Sequence, residues 1–244
     1  MCEMFKKFIL TGLLLSNLLF ADKITIFAAS DLKFALDSIK EEFENNNPED
    51  KINIIYGSSG KGMNQVENGA PFDIYFSANI DYVEDLYKKG AIVTKPKLYA
   101  MGRIVIWSKN KNFISENGFK NFEEKWVNKI AIANPSNAPY GEKAKQSMES
   151  LNIYDDIKAK LIYGENISAT TAYIYTQAAD IGIIALSLAL APSISQSENS
   201  SYYLIDEKLY KPLNQGYGIT KFGSKSELAK KFYDYMQDEK SIFI

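Results

Sequence analysis

Short runs rich in Ile, Val, Phe and Tyr alternate with stretches whose apolar residues recur every three or four positions, and small polar turns separate them. That alternation constrains the fold most, because successive parallel strands need a crossover, usually helical, to return to the same sheet edge. Residues 23–28 read as a strand, and Leu32, Phe34, Ala35, Ile39 and Phe43 follow at helical spacing, with Ser30 at the N-cap position. Asn45 to Pro48 stop that helix, residues 52–56 give a second strand, and a turn at 57–62 leads into a short helix through Val66. Gly69, Ala70 and Pro71 precede a strand over 72–76, and a helix over 80–89 ends at Gly90.

The pattern then restarts. Strands are expected at 104–107, 129–133, 161–163 and 180–185, with helices running to Leu151 and from near Asn166 or Ser168. Strands near 202–205 and 216–220 and a helix from Ser224 to Met236 close the chain. Two such sets suit two α/β lobes, each a mostly parallel sheet flanked by helices, better than one barrel of eight even units. The expected division is 22–101 plus 214–244 for one lobe and 102–213 for the other, with the chain crossing near 100–103 and 210–215.

Missing residue types narrow the chemistry. The 244-residue chain has no histidine, one cysteine (Cys2) and one arginine (Arg103). Ser-His-Asp and Cys-His nucleophilic sites, imidazole bases and His/Cys zinc sites are therefore excluded, and no cofactor is implied. Lys and Arg (28) nearly balance Asp and Glu (30), without a basic face that would suit nucleic acid. At the start, Lys6 and Lys7 precede an apolar run from Phe8 to Leu15, then Leu18 to Ala21. This is the layout of a secretory signal peptide over 1–21, cleaved after Ala21, and it implies a periplasmic location. The mature chain would hold no cysteine and rely on core burial alone.

Four strand-to-helix turns share one composition: Ala29-Ser30, Gly57-Ser58-Ser59-Gly60, Ala138-Pro139-Tyr140-Gly141 and Glu165-Asn166-Ile167-Ser168. In an open α/β sheet such turns lie at the carboxyl ends of the strands, where ligands bind. Helix starts offer unpaired N–H groups and partial positive charge, serine adds neutral donors, and glycine allows close approach. Such a set suits a compact, fully ionised oxyanion; a protonated anion would need an acceptor as well.

Ala28-Ala29-Ser30, Gly57 to Gly60, Gly69 to Ile74 with Ser77-Ala78, and Gly182 to Ser187 together resemble the periplasmic molybdate-binding proteins of ABC transporters, in order and over nearly the whole mature chain. The resemblance implies a two-lobed, non-enzymatic Venus-flytrap receptor, monomeric, that takes molybdate or tungstate and delivers it to a membrane permease. It implies ligand contacts from the Ser30 and Ser59 hydroxyls and the Tyr140 and Ile167 amides, with Ser58 as the alternative to Ser59. Molybdenum or tungsten enters such a site only as the oxyanion. Many family members add a tyrosine hydroxyl at the position of Ala185, so Tyr140 or Ser187 is expected to compensate. The residue after the first serine is usually apolar; here it is Asp31, whose carboxylate is expected to face solvent.

Rival readings are a receptor for sulfate or phosphate, and a ferric-iron receptor built on tyrosines such as Tyr202 and Tyr203. Ser58 to Lys61 also spell the S-x-x-K motif of β-lactamase-like acyltransferases, without the companion S-D-N and K-T-G elements.

Overall fold

The computed structural model describes residues 23–237; the predicted signal segment and Cys2 lie outside them. The first sheet is built from β1 (Lys23–Ala29), β2 (Lys51–Gly57), β3 (Ile74–Ser77), β4 (Lys97–Gly102) and a late strand described below. Helices α1 (Lys33–Asn46), α2 (Ser59–Glu67) and α3 (Ile80–Lys88) connect them. The second sheet comprises β5 (Ile104–Ser108), β6 (Ile130–Ala133), β7 (Leu161–Gly164), β8 (Ile181–Ala185) and β9 (Ser201–Leu204). Its helices are α4 (Pro139–Ser150), the short α5 (Tyr154–Ile157), α6 (Ile167–Tyr175), and two single-turn helices, α7 (Leu186–Leu190) and α8 (Pro192–Ser195). The chain then returns through β10 (Leu213–Ile219) to the first sheet and ends in α9 (Glu227–Tyr235).

Strand orders are β2-β1-β3-β10-β4 and β7-β6-β8-β5-β9, the same plan twice. In each sheet the first three strands run parallel, and the fourth, which enters from the other sheet, is antiparallel to both neighbours. Only Arg103 separates β4 from β5, while the return passes through 205–212; Gly102 pairs with Leu213, so the two crossings lie side by side.

Alternation along β1 explains the layering. Ile24, Ile26 and Ala28 face a core with Leu36 and Phe43 of α1 and Phe232 of α9, whereas Phe27 faces Val66 of α2 and Val83 of α3. The second sheet packs Ile106, Ile132, Ile183 and Trp107 into a core that reaches Ala29 and Ala78 of the first. Gly141 lets α4 start against β6, since a Cβ there would sit 2.1 Å from the Ala133 carbonyl oxygen.

Some elements differ from the sequence expectation. β4 is an additional strand; its half-exposed pattern lacks a continuous apolar run. The terminal helix starts three residues later than expected, because a 3-10 turn at Phe222–Lys225 precedes it and the Ser226 side chain caps it. Ser30 is not an N-cap: it opens a 3-10 turn, Ser30–Leu32, after Ala29.

Candidate functional site

β1 and β2 pair in register to their last residues, Ala29 opposite Gly57, so the turns beginning at Ser30 and Ser58 emerge side by side. β6 and β7 repeat this, with Ala133 opposite Gly164, and release the chain toward the starts of α4 and α6. The four turns converge on a cavity of about 10 Å³ between the sheets, lined by Ser30, Asp31, Ser58, Ser59, Tyr140 and Ile167 among others. Among the described residues no lysine or arginine lines it.

The donors differ in how they are held. Ser59 Oγ accepts the Ala78 N–H at 2.9 Å, and its carbonyl accepts the Tyr75 hydroxyl at 2.6 Å, which fixes the residue and leaves its own O–H free to donate. Ser58 Oγ is buried and has no hydrogen-bond partner among the described residues. Both serines line the cavity. Ser30 Oγ donates to Asn166 Oδ1 at 3.2 Å and accepts the Ser168 N–H at 3.3 Å. Ile167 and Tyr140 are the first and second residues of α6 and α4, positions whose N–H groups have no partner within the helix. Asn166 caps α6, accepting the Ala169 N–H at 2.9 Å.

Ala185 and Ser187 lie outside the lining. The Ser187 hydroxyl donates to the Asp31 carbonyl at 3.0 Å, and the Tyr140 hydroxyl donates to Asp31 Oδ2 at 3.1 Å. Both hydroxyls expected to stand in for a ligand tyrosine are thus committed to Asp31.

Asp31 does not face solvent. It is 4% exposed, and Gln215 of β10 donates to Oδ2 at 2.9 Å, while Oδ1 is buried without a partner. Burial pushes its carboxyl up to about 6 against the lowering effect of the Gln215 and Tyr140 hydrogen bonds. Burial, then the Asp31 charge, holds the Tyr140 phenol well above its ordinary range. Gln215 also donates to the Tyr140 hydroxyl at 2.8 Å, closing a triangle beside the two chain crossings. Sequence reasoning missed Gln215, which carries no local motif.

Two rivals lose their geometry. Lys61 pairs with Glu165 across the cleft and is absent from the cavity lining, so the S-x-x-K pair does not assemble there. Tyr202 and Tyr203 sit on the edge strand β9, also outside the lining. Among the described residues no cluster of three or more Cys, Asp or Glu could hold a metal ion.

Residues 24–243 match the family described as bacterial extracellular solute-binding protein. The chain belongs to that family. Its members are solute receptors rather than enzymes. Among curated relatives, the chain is 28% identical to the molybdate-binding protein ModA of Rhodobacter capsulatus over 79% of this chain and 74% of that protein. It is 27% identical to ModA of Azotobacter vinelandii, over 91% and 86% of the two chains. The solved periplasmic molybdate-binding protein of Azotobacter vinelandii superposes with a TM-score of 0.81 at 26% identity, covering 89% of this chain and 94% of that one. The two-lobed α/β architecture is that of periplasmic binding proteins.

Proposed function

We propose that this chain is the molybdate receptor of an ABC transporter, that it takes tungstate as well, and that it delivers either dianion to a membrane permease. The observation that carries the reading is the convergence of Ser30, Ser58, Ser59 and the starts of α4 and α6 on one cavity without a lysine or arginine in its lining. The relatives named molybdate-binding support the choice of oxyanion.

The lobes are taken as 22–101 plus 214–244 and 102–213, working as a monomer in the periplasm after loss of residues 1–21. Serine hydroxyls from the first lobe and the Tyr140 and Ile167 amides from the second surround the oxo groups, leaving the metal atom untouched. Neutral donors hold a dianion well only when water is excluded, because the attraction falls as the local dielectric rises. That gives the lobes a reason to close over the ligand about the paired crossings beside Arg103. The direct contacts of Ser30 with Asn166 and Ser168 would then give way to contacts with the oxyanion. Closure would also create a surface that reports occupancy to the permease.

Equilibrium dialysis against molybdate tests the reading. One molybdenum retained per chain, and much less after Ser59→Ala, is the expected result. Wild-type protein that retains none would refute it.

A further inference from the structure

The first lobe carries an acid into a site otherwise made of neutral donors. Asp31 lines the cavity beside Ser30, Ser58 and Ser59 and is fixed from three elements: Tyr140 of α4 and Gln215 of β10 on Oδ2, and Ser187 of α7 on its carbonyl. Oδ2 already accepts two hydrogen bonds, whereas Oδ1 is buried with no partner among the described residues, which leaves Oδ1 the oxygen available to a ligand. An ionised carboxylate there would repel a dianion, and a cavity of about 10 Å³ has little room for water to screen the pair. A protonated one would offer a donor.

We propose that Asp31 enters the complex as a neutral carboxylic acid whose Oδ1 hydroxyl donates to the bound oxyanion, so that ionised protein, one proton from solvent and one dianion combine. Asp31 is then a specificity-determining residue that ties affinity to pH. The inference rests on the receptor reading above.

The surroundings favour the neutral acid. Besides Tyr140, the Tyr99 phenol on β4 feels the Asp31 charge: burial first, and then that charge, hold it well above its ordinary range. Lys33 on α1 pairs with Asp37 at 2.9 Å, Lys61 on α2 with Glu165, and Arg103 at the crossing with Glu207 at 2.9 Å. None of these cations is among the groups that move Asp31, and its carboxyl is already raised before any anion arrives. Gln215 and Ser187 do not titrate.

Calorimetric titration with sodium molybdate, repeated at pH 7.5 in buffers of different ionisation heat, counts the protons. Wild type is expected to take up about one proton per molybdate, and its affinity to fall roughly tenfold per pH unit between pH 7 and 8.5. Asp31→Asn keeps the two acceptor contacts through its carbonyl oxygen and offers an N–H in place of the acid O–H. It should show no proton uptake, a flat profile, and binding more than tenfold tighter than wild type at pH 8.5. Wild type that binds molybdate without proton uptake overturns the proposal while leaving the receptor intact, and this reading needs no variant. Proton uptake retained by a folded Asp31→Asn overturns it too, by placing the proton elsewhere. No binding by wild type at any pH would remove the receptor reading and the proposal together.

Discussion

Gly60 separates the stability of one lobe from the closing of two. It is the second residue of α2, and its N–H donates to the Asn137 carbonyl at 2.8 Å, across the cleft. A Cβ at this position would lie 2.8 Å from that carbonyl oxygen and 3.0 Å from the Asn137 Cα. Both are backbone atoms, so the clash cannot be relieved by turning a side chain. Gly60 is not among the residues with positive φ, and alanine within a helix is favoured over glycine by ~0.5–1 kcal/mol. Where the lobes part in the absence of ligand this contact is broken, so Gly60→Ala should leave the open, ligand-free protein as stable as wild type or slightly more so. Closure loses a hydrogen bond worth ~1 kcal/mol and gains an overlap costing ~1–2 kcal/mol. Together these predict molybdate binding weakened about 30- to 160-fold. Calorimetric titration beside thermal unfolding of the free protein provides both readouts. Unchanged affinity would show that the Gly60–Asn137 contact has no part in binding; a large loss of ligand-free stability would show that the lobes do not part.

Ser58→Ala removes a buried oxygen that has no partner among the described residues, so stability should hold or rise while affinity drops about tenfold or more, since a hydrogen bond to a charged group is worth ~1.5–3 kcal/mol. Ser59→Ala should lose affinity similarly but also lower the melting temperature, because it strands the buried Ala78 N–H. Asp31 affects stability with a definite sign: its folded pKa lies above the unfolded value, so its contribution is full below pH 3.8 and is lost as pH rises through about 6. The shift is worth about 3 kcal/mol, and denaturant unfolding across that window should show Asp31→Asn free of this part of the decline. Scattering should give a smaller radius of gyration for molybdate-saturated protein than for free protein; identical profiles with binding confirmed would place the site in one lobe.

Most of the residues that line the candidate cavity were legible in the sequence as local chemistry. The serines and glycines after β1 and β2, and the helix starts at Tyr140 and Ile167, are signals within a few residues of each other, and the in-register strand pairs bring them together. Asp31 shows where such reasoning stops. An acid in the first turn of a helix ordinarily faces water near the positive end of the dipole. Here partners 109 and 184 residues away, Tyr140 and Gln215, bury it, and nothing near position 31 announces them. The role of Ser30 as a cap failed for a different reason: a 3-10 turn delays α1 to Lys33, so Ser30 is free to reach across the cleft to Asn166. β4 was hidden because its residues alternate between half-buried and exposed, as suits an edge strand.

The most direct test is a calorimetric titration of the purified protein with molybdate, tungstate, sulfate and phosphate under one set of conditions. A cleft that measures a tetrahedral dianion with hydrogen-bond donors from two lobes should bind molybdate and tungstate at one site per chain with similar affinity, because the two ions share charge and nearly share size. Sulfate is smaller and should bind far more weakly, its oxygens lying beyond good hydrogen-bond length from one lobe or the other. Heat from none of the four, or sulfate bound as tightly as molybdate, would contradict the assignment.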